Sequence, residues 1–276
     1  GSNRHAVVAG VMLALAVHTH LTGRLLPFVL LVSALWAVWR TRRRQAWIAL
    51  ATVLAVAAVL SLPQITYFAR QPEMLAYRAD QVSVLNPDVN EGDLVGTLAA
   101  NAWRLLRAPA WKGDSSWYHN LSGRPVFDPL VAIGFLVGLG LFARDLASRR
   151  GPRAKAAAVL VVAASLVALV PSWLSVGAPN YVRLTVTWPA LFLVAAYGLD
   201  RLAAAGERRS RAGRWIVPAV LAVSAVSSAG DYFGRYAERP EVYEAFNGAA
   251  VDRGRVLAAV AAEGATYVSQ TIERQS

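Results

Sequence analysis

Apolar runs alternate with short charged or polar stretches along this chain, and the runs are apolar on every helical face rather than along one stripe. They cover residues 5–22, 25–40, 46–62, 129–143, 154–170, 182–199 and 215–229. A helix crossing the hydrocarbon core of a bilayer needs about 20 such residues. Several runs are shorter, and each alone would suit a buried helix of a soluble protein. Helices that are apolar all round must be covered on every side, and a whole series of them exceeds what one soluble core receives. The pattern predicts an all-α polytopic membrane protein with about seven transmembrane helices.

The polar punctuation is two-sided. Arg40, Arg42, Arg43 and Arg44 follow the second run. Arg144, Arg149, Arg150, Arg153 and Lys155 follow the fourth, and Arg201, Arg208, Arg209, Arg211 and Arg214 the sixth. These are alternate loops, so they share one side, which the positive-inside rule makes cytoplasmic. Loops 18–24, 64–128 and 171–181 then face outward together with the tail after Gly230.

The expected organisation is therefore helices one to three in residues 1–63, an extracytoplasmic loop in 64–128, helices four to seven in 129–230, and an extracytoplasmic tail in 231–276. The long loop exceeds a simple connection. Leu94, Leu98, Ala102 and Leu105 share one helical face, and Thr97, Asn101 and Arg104 another. That spacing predicts an amphipathic helix in the headgroup plane. Trp103, Trp111, Trp117 and Tyr118 suit the same interface. The tail reads as a small α/β-like unit, with a helix over 251–262, a stop at Gly264 and a strand beginning at Thr266–Ser269. So little structure buries no core. Either the tail leans on the membrane helices, or it is the start of a soluble domain that continues past Ser276.

Composition agrees. Of 276 residues, 56% are hydrophobic and 16% charged, against roughly 25% charge in a typical globular domain. The net charge of +11 comes from 28 Lys and Arg against 17 Asp and Glu. It lies between apolar runs and accompanies no nucleic-acid reading motif, so nucleic acid is not an expected partner. The chain has no cysteine, which removes disulfides, thiolate metal sites and cysteine nucleophiles. His5, His18, His20 and His119 form no recognised ligand spacing. No cofactor is evident, and a divalent metal stays an open alternative.

Polar groups near membrane depth are costly and are therefore candidates for function. Three stretches stand out on the outward side. His18-Thr-His20-Leu-Thr-Gly-Arg24 places an arginine against the positive-inside trend. Arg24 suits a lipid phosphate or simply snorkels to headgroups. Lys112, His119, Asn120 and Asp128 fall in a polar, aromatic segment just before the fourth run. Such groups recognise sugars and phosphates, but an ordered interfacial loop uses them too. Asn120-Leu-Ser122 is a formal glycosylation sequon, a chance match outside eukaryotes. Arg183 opens the sixth run from outside and must be paired or serve a ligand.

Taken in order, His20…Arg24-Leu-Leu-Pro27, Gln81-Val-Ser-Val-Leu-Asn86-Pro87, His119-Asn120-Leu-Ser-Gly-Arg-Pro125-Val-Phe-Asp128-Pro129-Leu and Arg183…Trp188-Pro189-Ala resemble the bacterial family 39 glycosyltransferases. These form the dolichyl-phosphate-mannose–protein mannosyltransferase-like branch of the GT-C superfamily. The resemblance spans nearly the whole chain and implies a GT-C-like fold. It implies a membrane enzyme that moves a sugar from a polyprenyl-phosphate carrier to a lipid, glycan or protein acceptor at the extracytoplasmic face. It places the catalytic carboxylate in the first outward loop. Here residues 18–24 hold no carboxylate, so the chain looks like the portion downstream of that loop, and its own catalytic residue is unknown. The family often carries a histidine before the arginine matching Arg183, where this chain has Asn180-Tyr181. For the carrier phosphate the resemblance favours Arg183 and Arg24, then His119 and Lys112, with Asn120 and Asp128 ordering the loop. A secondary transporter and a non-catalytic membrane scaffold are the alternatives, although the paired broken helices of transporters are not evident.

Overall fold

A computed structural model describes residues 2–19, 23–24, 26–41, 43–147, 162 and 165–261. The fifth apolar run up to residue 164 (residue 162 apart), Arg42, Arg149, Arg150, Arg153, Lys155 and the strand expected from Thr266 lie outside the described residues. Among the described residues the chain is helical and holds no strand; one isolated antiparallel bridge joins Ser83 to Ser175.

The first unit comprises α1 (Ser2–Thr19), α2 (Leu26–Thr41), α3 (Arg44–Arg70) and α4 (Pro72–Val82). α1 packs along α3, where Gly10 lets the backbones close against Val53 and Val56. His18 ties the end of α1 to the carbonyl of Leu60 at 3.2 Å. α3 runs through Pro63 to Arg70, past the expected end at Leu62, so residues 64–70 belong to the helix rather than the loop. Proline removes one backbone donor, but the turn stays closed here, and the Thr66 hydroxyl donates to the carbonyls of Leu62 and Pro63.

A turn at Pro87–Asn90 (α5) leads into α6 (Leu94–Arg107), capped by Asp93, whose carboxylate accepts from the N–H of Gly96. The helix is where the spacing predicts it, with Leu105 of the apolar face buried and Leu94, Leu98 and Ala102 half-buried, but the polar face is not uniformly outward. Asn101, from the polar face, is 1% exposed, whereas Val95, Trp103 and Leu106 are 79%, 63% and 76% exposed. The Asn101 amide donates to the carbonyls of Trp173 and Ser175 at 2.9 and 3.1 Å, which accounts for its burial.

The second unit is built on α7 (Pro129–Ala147) and α9 (Trp188–Glu207), the most extensively packed helix pair among the described residues, with α8 (residues 165–173) leading into the segment before α9. Gly134, Gly138 and Gly198 make the α7–α9 crossing. A Cβ at Gly198 would lie 1.8 Å from the Gly134 carbonyl oxygen, and one at Gly138 2.0 Å from that of Val194. Gly134 and Gly138 are spaced as a small-residue crossing motif. Beside them Phe127, Val131, Ala132, Phe135 and Ala195 form a buried apolar cluster.

A turn at Arg211–Trp215 reverses the chain into α10 (Ile216–Ala229). The helix continues beyond Gly230 as a π-helical turn to Tyr236, so the expected break at residue 230 is absent. Two helical runs, Arg44–Arg70 and Arg211–Tyr236, are long and apolar enough to cross a membrane. Short helices α11 (Pro240–Ala245) and α12 (Gly248–Ala261) complete the described chain.

Hydrogen bonds sort the helix ends of the second unit. Asp128 at the start of α7 accepts from the Ser224 hydroxyl near the end of α10. Arg124 donates to the hydroxyl of Ser228 and pairs with Asp231 at 3.1 Å. At the opposite end Asp145 accepts from the Tyr197 hydroxyl, and Arg201 stacks over the Tyr197 ring. One end thus gathers residues 108–128, 171–188 and 228–239, and the other gathers Arg144, Arg201 and the turn at 208–214.

Candidate functional site

The loop between α6 and α7 folds on itself through short backbone links. The N–H of Gly113 donates to the carbonyl of Gly123, and the N–H of Gly123 returns to that of Asp114. Gly113 has no room for a side chain, because a Cβ there would lie 1.8 Å from the Tyr181 hydroxyl and 2.0 Å from the Arg124 carbonyl oxygen. This narrow channel carries a 2.6 Å hydrogen bond from the Tyr181 hydroxyl to the Arg124 carbonyl. Burial pushes the Tyr181 phenol up to about 12, with the nearby Asp114 charge adding to the shift.

Asp114 is the centre of the site. It is 2% exposed and accepts from the backbone N–H groups of Ser116 and Tyr181 at 2.9 Å each. Its Oδ2 also lies 2.6 Å from Nδ1 of His119. A buried carboxylate needs such donors to offset the loss of water. Here they come from both sides of the groove, so Asp114 fastens the 111–124 loop to the segment before α9.

His119, Asn120, Tyr118, Tyr181, Trp188 and Phe192 line an open pocket of about 670 Å³ at this end of α9, together with Val182, Thr185 and Pro189. Trp188 stacks on Phe192 and meets Tyr181 edge-on, and its indole N–H donates to the Tyr181 carbonyl. The Asn120 side chain accepts from the N–H of Leu121, and its residue is half-buried at the wall. The pocket joins flat aromatic faces to one imidazole and one amide, a lining suited to a ligand that is both apolar-faced and polar-edged.

The other sequence candidates lie elsewhere. Arg183 donates to the Ser175 hydroxyl and to the Val176 carbonyl at 3.0 Å, and its N–H is capped by Asn180. These bonds close the 175–183 turn, so this arginine has a structural role in the segment behind the pocket. Arg24 belongs to the first unit, with its guanidinium 4.7 Å from the Phe68 ring centroid and its Nε buried without a hydrogen bond among the described residues. Lys112 is exposed beside Gly123 and is not part of the pocket lining. Asp128 caps α7 by accepting from the N–H groups of Leu130 and Val131. Of the six candidates, His119 and Asn120 come together in the pocket.

Sequence reasoning passed over Asp114 and the aromatic wall. Asp114 sits five positions before His119 in a loop without helical or strand period, where no spacing rule pairs them. Among the described residues no group of three or more His, Cys, Asp or Glu side chains is arranged for a metal. Comparison with protein families, with curated sequences and with solved structures finds no match.

Proposed function

We propose that this chain belongs to a multi-pass membrane glycosyltransferase of the GT-C type, with about seven spans, that takes a sugar from a polyprenyl-phosphate-linked donor at the extracytoplasmic face of the cell membrane. The acceptor is a lipid, a glycan or a protein. The observation that carries this reading is the pocket of His119, Asn120, Tyr181, Trp188 and Phe192 at the helix end opposite Arg144, Arg201 and Arg208. Arginine-rich ends mark the cytoplasmic side, so the pocket opens where a flipped lipid-linked sugar is presented.

Two further features support it. α3 and the run ending at Tyr236 expose large apolar side chains, among them Val59 at 62% and Val226 at 73%, which water does not favour and lipid does. α6 exposes Val95, Trp103 and Leu106 beside the pocket loop, an apolar surface suited to the bilayer interface.

The chemistry is a substitution at the anomeric carbon. The acceptor oxygen bonds to that carbon as its bond to the phosphate oxygen breaks. The electron pair leaves with the polyprenyl phosphate, and the acceptor proton passes to a base. Cationic or hydrogen-bonding groups that meet the departing phosphate lower the barrier.

The test is sugar transfer from a polyprenyl-phosphate-sugar donor in membranes containing the full-length protein. Trp188→Ala is expected to lower transfer by about tenfold or more while the protein stays folded. Absence of transfer by the wild type with any such donor, or unchanged transfer in Trp188→Ala, overturns the reading.

A further inference from the structure

We infer that the pocket is a sugar-ring subsite rather than a phosphate site, and that His119, oriented by Asp114, accepts a hydrogen bond from a ring hydroxyl there. This rests on the reading that the ligand is a lipid-linked sugar.

The argument begins with the proton count. An ionised carboxylate only accepts hydrogen bonds. Oδ2 of Asp114 lies 2.6 Å from Nδ1 of His119, so Nδ1 carries the proton. In the neutral imidazole the other nitrogen then bears a lone pair and only accepts. Nε2 has no hydrogen-bond partner among the described residues, and His119 lines the pocket. A neutral His119 thus offers an acceptor to whatever enters. A sugar hydroxyl donates to it; an esterified phosphate, which once ionised has no proton to give, is repelled.

The pocket walls agree. Trp188 and Phe192 stack at 22° and 6.1 Å, which leaves aromatic surface continuous along one wall. The C–H face of a pyranose ring is apolar and its edge is polar, and a wall that is apolar on one side with an acceptor on the other matches that division. Lining cations are absent among the described residues of the pocket, and the two candidate arginines are engaged elsewhere. Asp114 touches no ligand itself and is a positioning residue: it fixes the tautomer and the ring plane of His119.

The chain has four histidines, so nitrogen NMR of histidine-labelled full chain in detergent resolves His119, assigned by its loss in His119→Gln. In spectra taken at about pH 8 the neutral His119 ring is expected as the Nδ1–H tautomer. Methyl α-D-mannopyranoside and methyl α-D-glucopyranoside at roughly millimolar concentration are the probes, with methyl phosphate, which carries no P–OH once fully ionised, as the contrast. At least one glycoside is expected to shift Nε2, and phosphate is expected to leave it unchanged. Asp114→Asn is expected to redistribute the tautomers, which a purely structural role would not do. An Nε2–H tautomer in the wild type, a shift with phosphate but with neither glycoside, or no shift with any probe overturns the inference. Failure of the two ideas is separable. Sugar transfer that persists unchanged in His119→Gln sinks the subsite and leaves the transferase reading standing. Glycoside binding without transfer by the wild type sinks the transferase reading alone.

Discussion

Tyr181 reaches Asp114 through its backbone N–H at 2.9 Å, across 67 positions of chain, while its phenol donates to the Arg124 carbonyl. One residue therefore joins the segment before α9 to both ends of the 114–124 loop. Tyr181→Phe removes the phenolic donor to the Arg124 carbonyl. The expected cost is about 1–3 kcal/mol, read as a lower thermal midpoint in detergent.

The same phenol gives a pH dependence. Its ordinary value is 10.0 and burial raises it to about 12 in the folded protein. The folded state holds this proton more tightly than the unfolded chain, so its contribution is complete below pH 10 and is lost as pH rises through about 12. Wild-type stability is expected to fall over that window, and Tyr181→Phe to fall less steeply. Equal slopes in a pH series of unfolding midpoints would refute the assignment.

Asn101 holds the carbonyls of Trp173 and Ser175, and the Trp173 indole returns a hydrogen bond to the Leu98 carbonyl. Asn101→Leu keeps the branched shape but orphans two carbonyls, at about 1–3 kcal/mol each. Hydrogen exchange is expected to rise across residues 171–183 more than across α7. Uniform change in both regions would mean that Asn101 is not the clamp.

The α7–α9 crossing depends on absent side chains. Gly198→Leu would drive a side chain into the Gly134 backbone and is expected to abolish recovery of folded protein. Gly140, where a new Cβ meets nothing within 4 Å, is the control. Gly140→Ala is expected to be neutral or stabilising by up to about 1 kcal/mol. Size-exclusion profiles of the two variants decide the matter.

Sidedness is directly measurable because the chain has no cysteine. Single cysteines at Lys112 and Arg208, both exposed, mark the two helix ends. An impermeant maleimide applied to intact cells is expected to label Lys112→Cys and to label Arg208→Cys only after permeabilisation. Labelling of both from the same side would remove the membrane orientation on which the proposed function depends.

Much of the scaffold was legible in the residue order. Apolar period and length locate α1, α3, α6, α7 and α10, because helix formation is local and lipid-like surroundings demand continuous apolar surface. Arg144 and the arginines from Arg201 to Arg214 fall at one end of the α7–α9 pair, since charge excess survives as a linear pattern. Legibility failed at Pro63 and Gly230, where the residue type announces a break and the helix continues. At Arg183 the sequence left pairing and ligand binding open, and the fold shows bonds to the Ser175 hydroxyl and the Val176 carbonyl.

The site itself belongs to the tertiary structure. The sequence alone determined an apolar helical chain with two-sided polar ends and placed His119 and Asn120 among its candidates. Only the fold brought Asp114 under the His119 ring, set Tyr181 against the Arg124 carbonyl and stood Trp188 and Phe192 along the same wall. Asp114 and His119 are close in sequence but in a loop without a repeating period, whereas Tyr181 and Arg124 are 57 positions apart. Packing of the 111–124 loop on the start of α9, permitted by Gly113, decides both pairings, and no linear spacing encodes that approach.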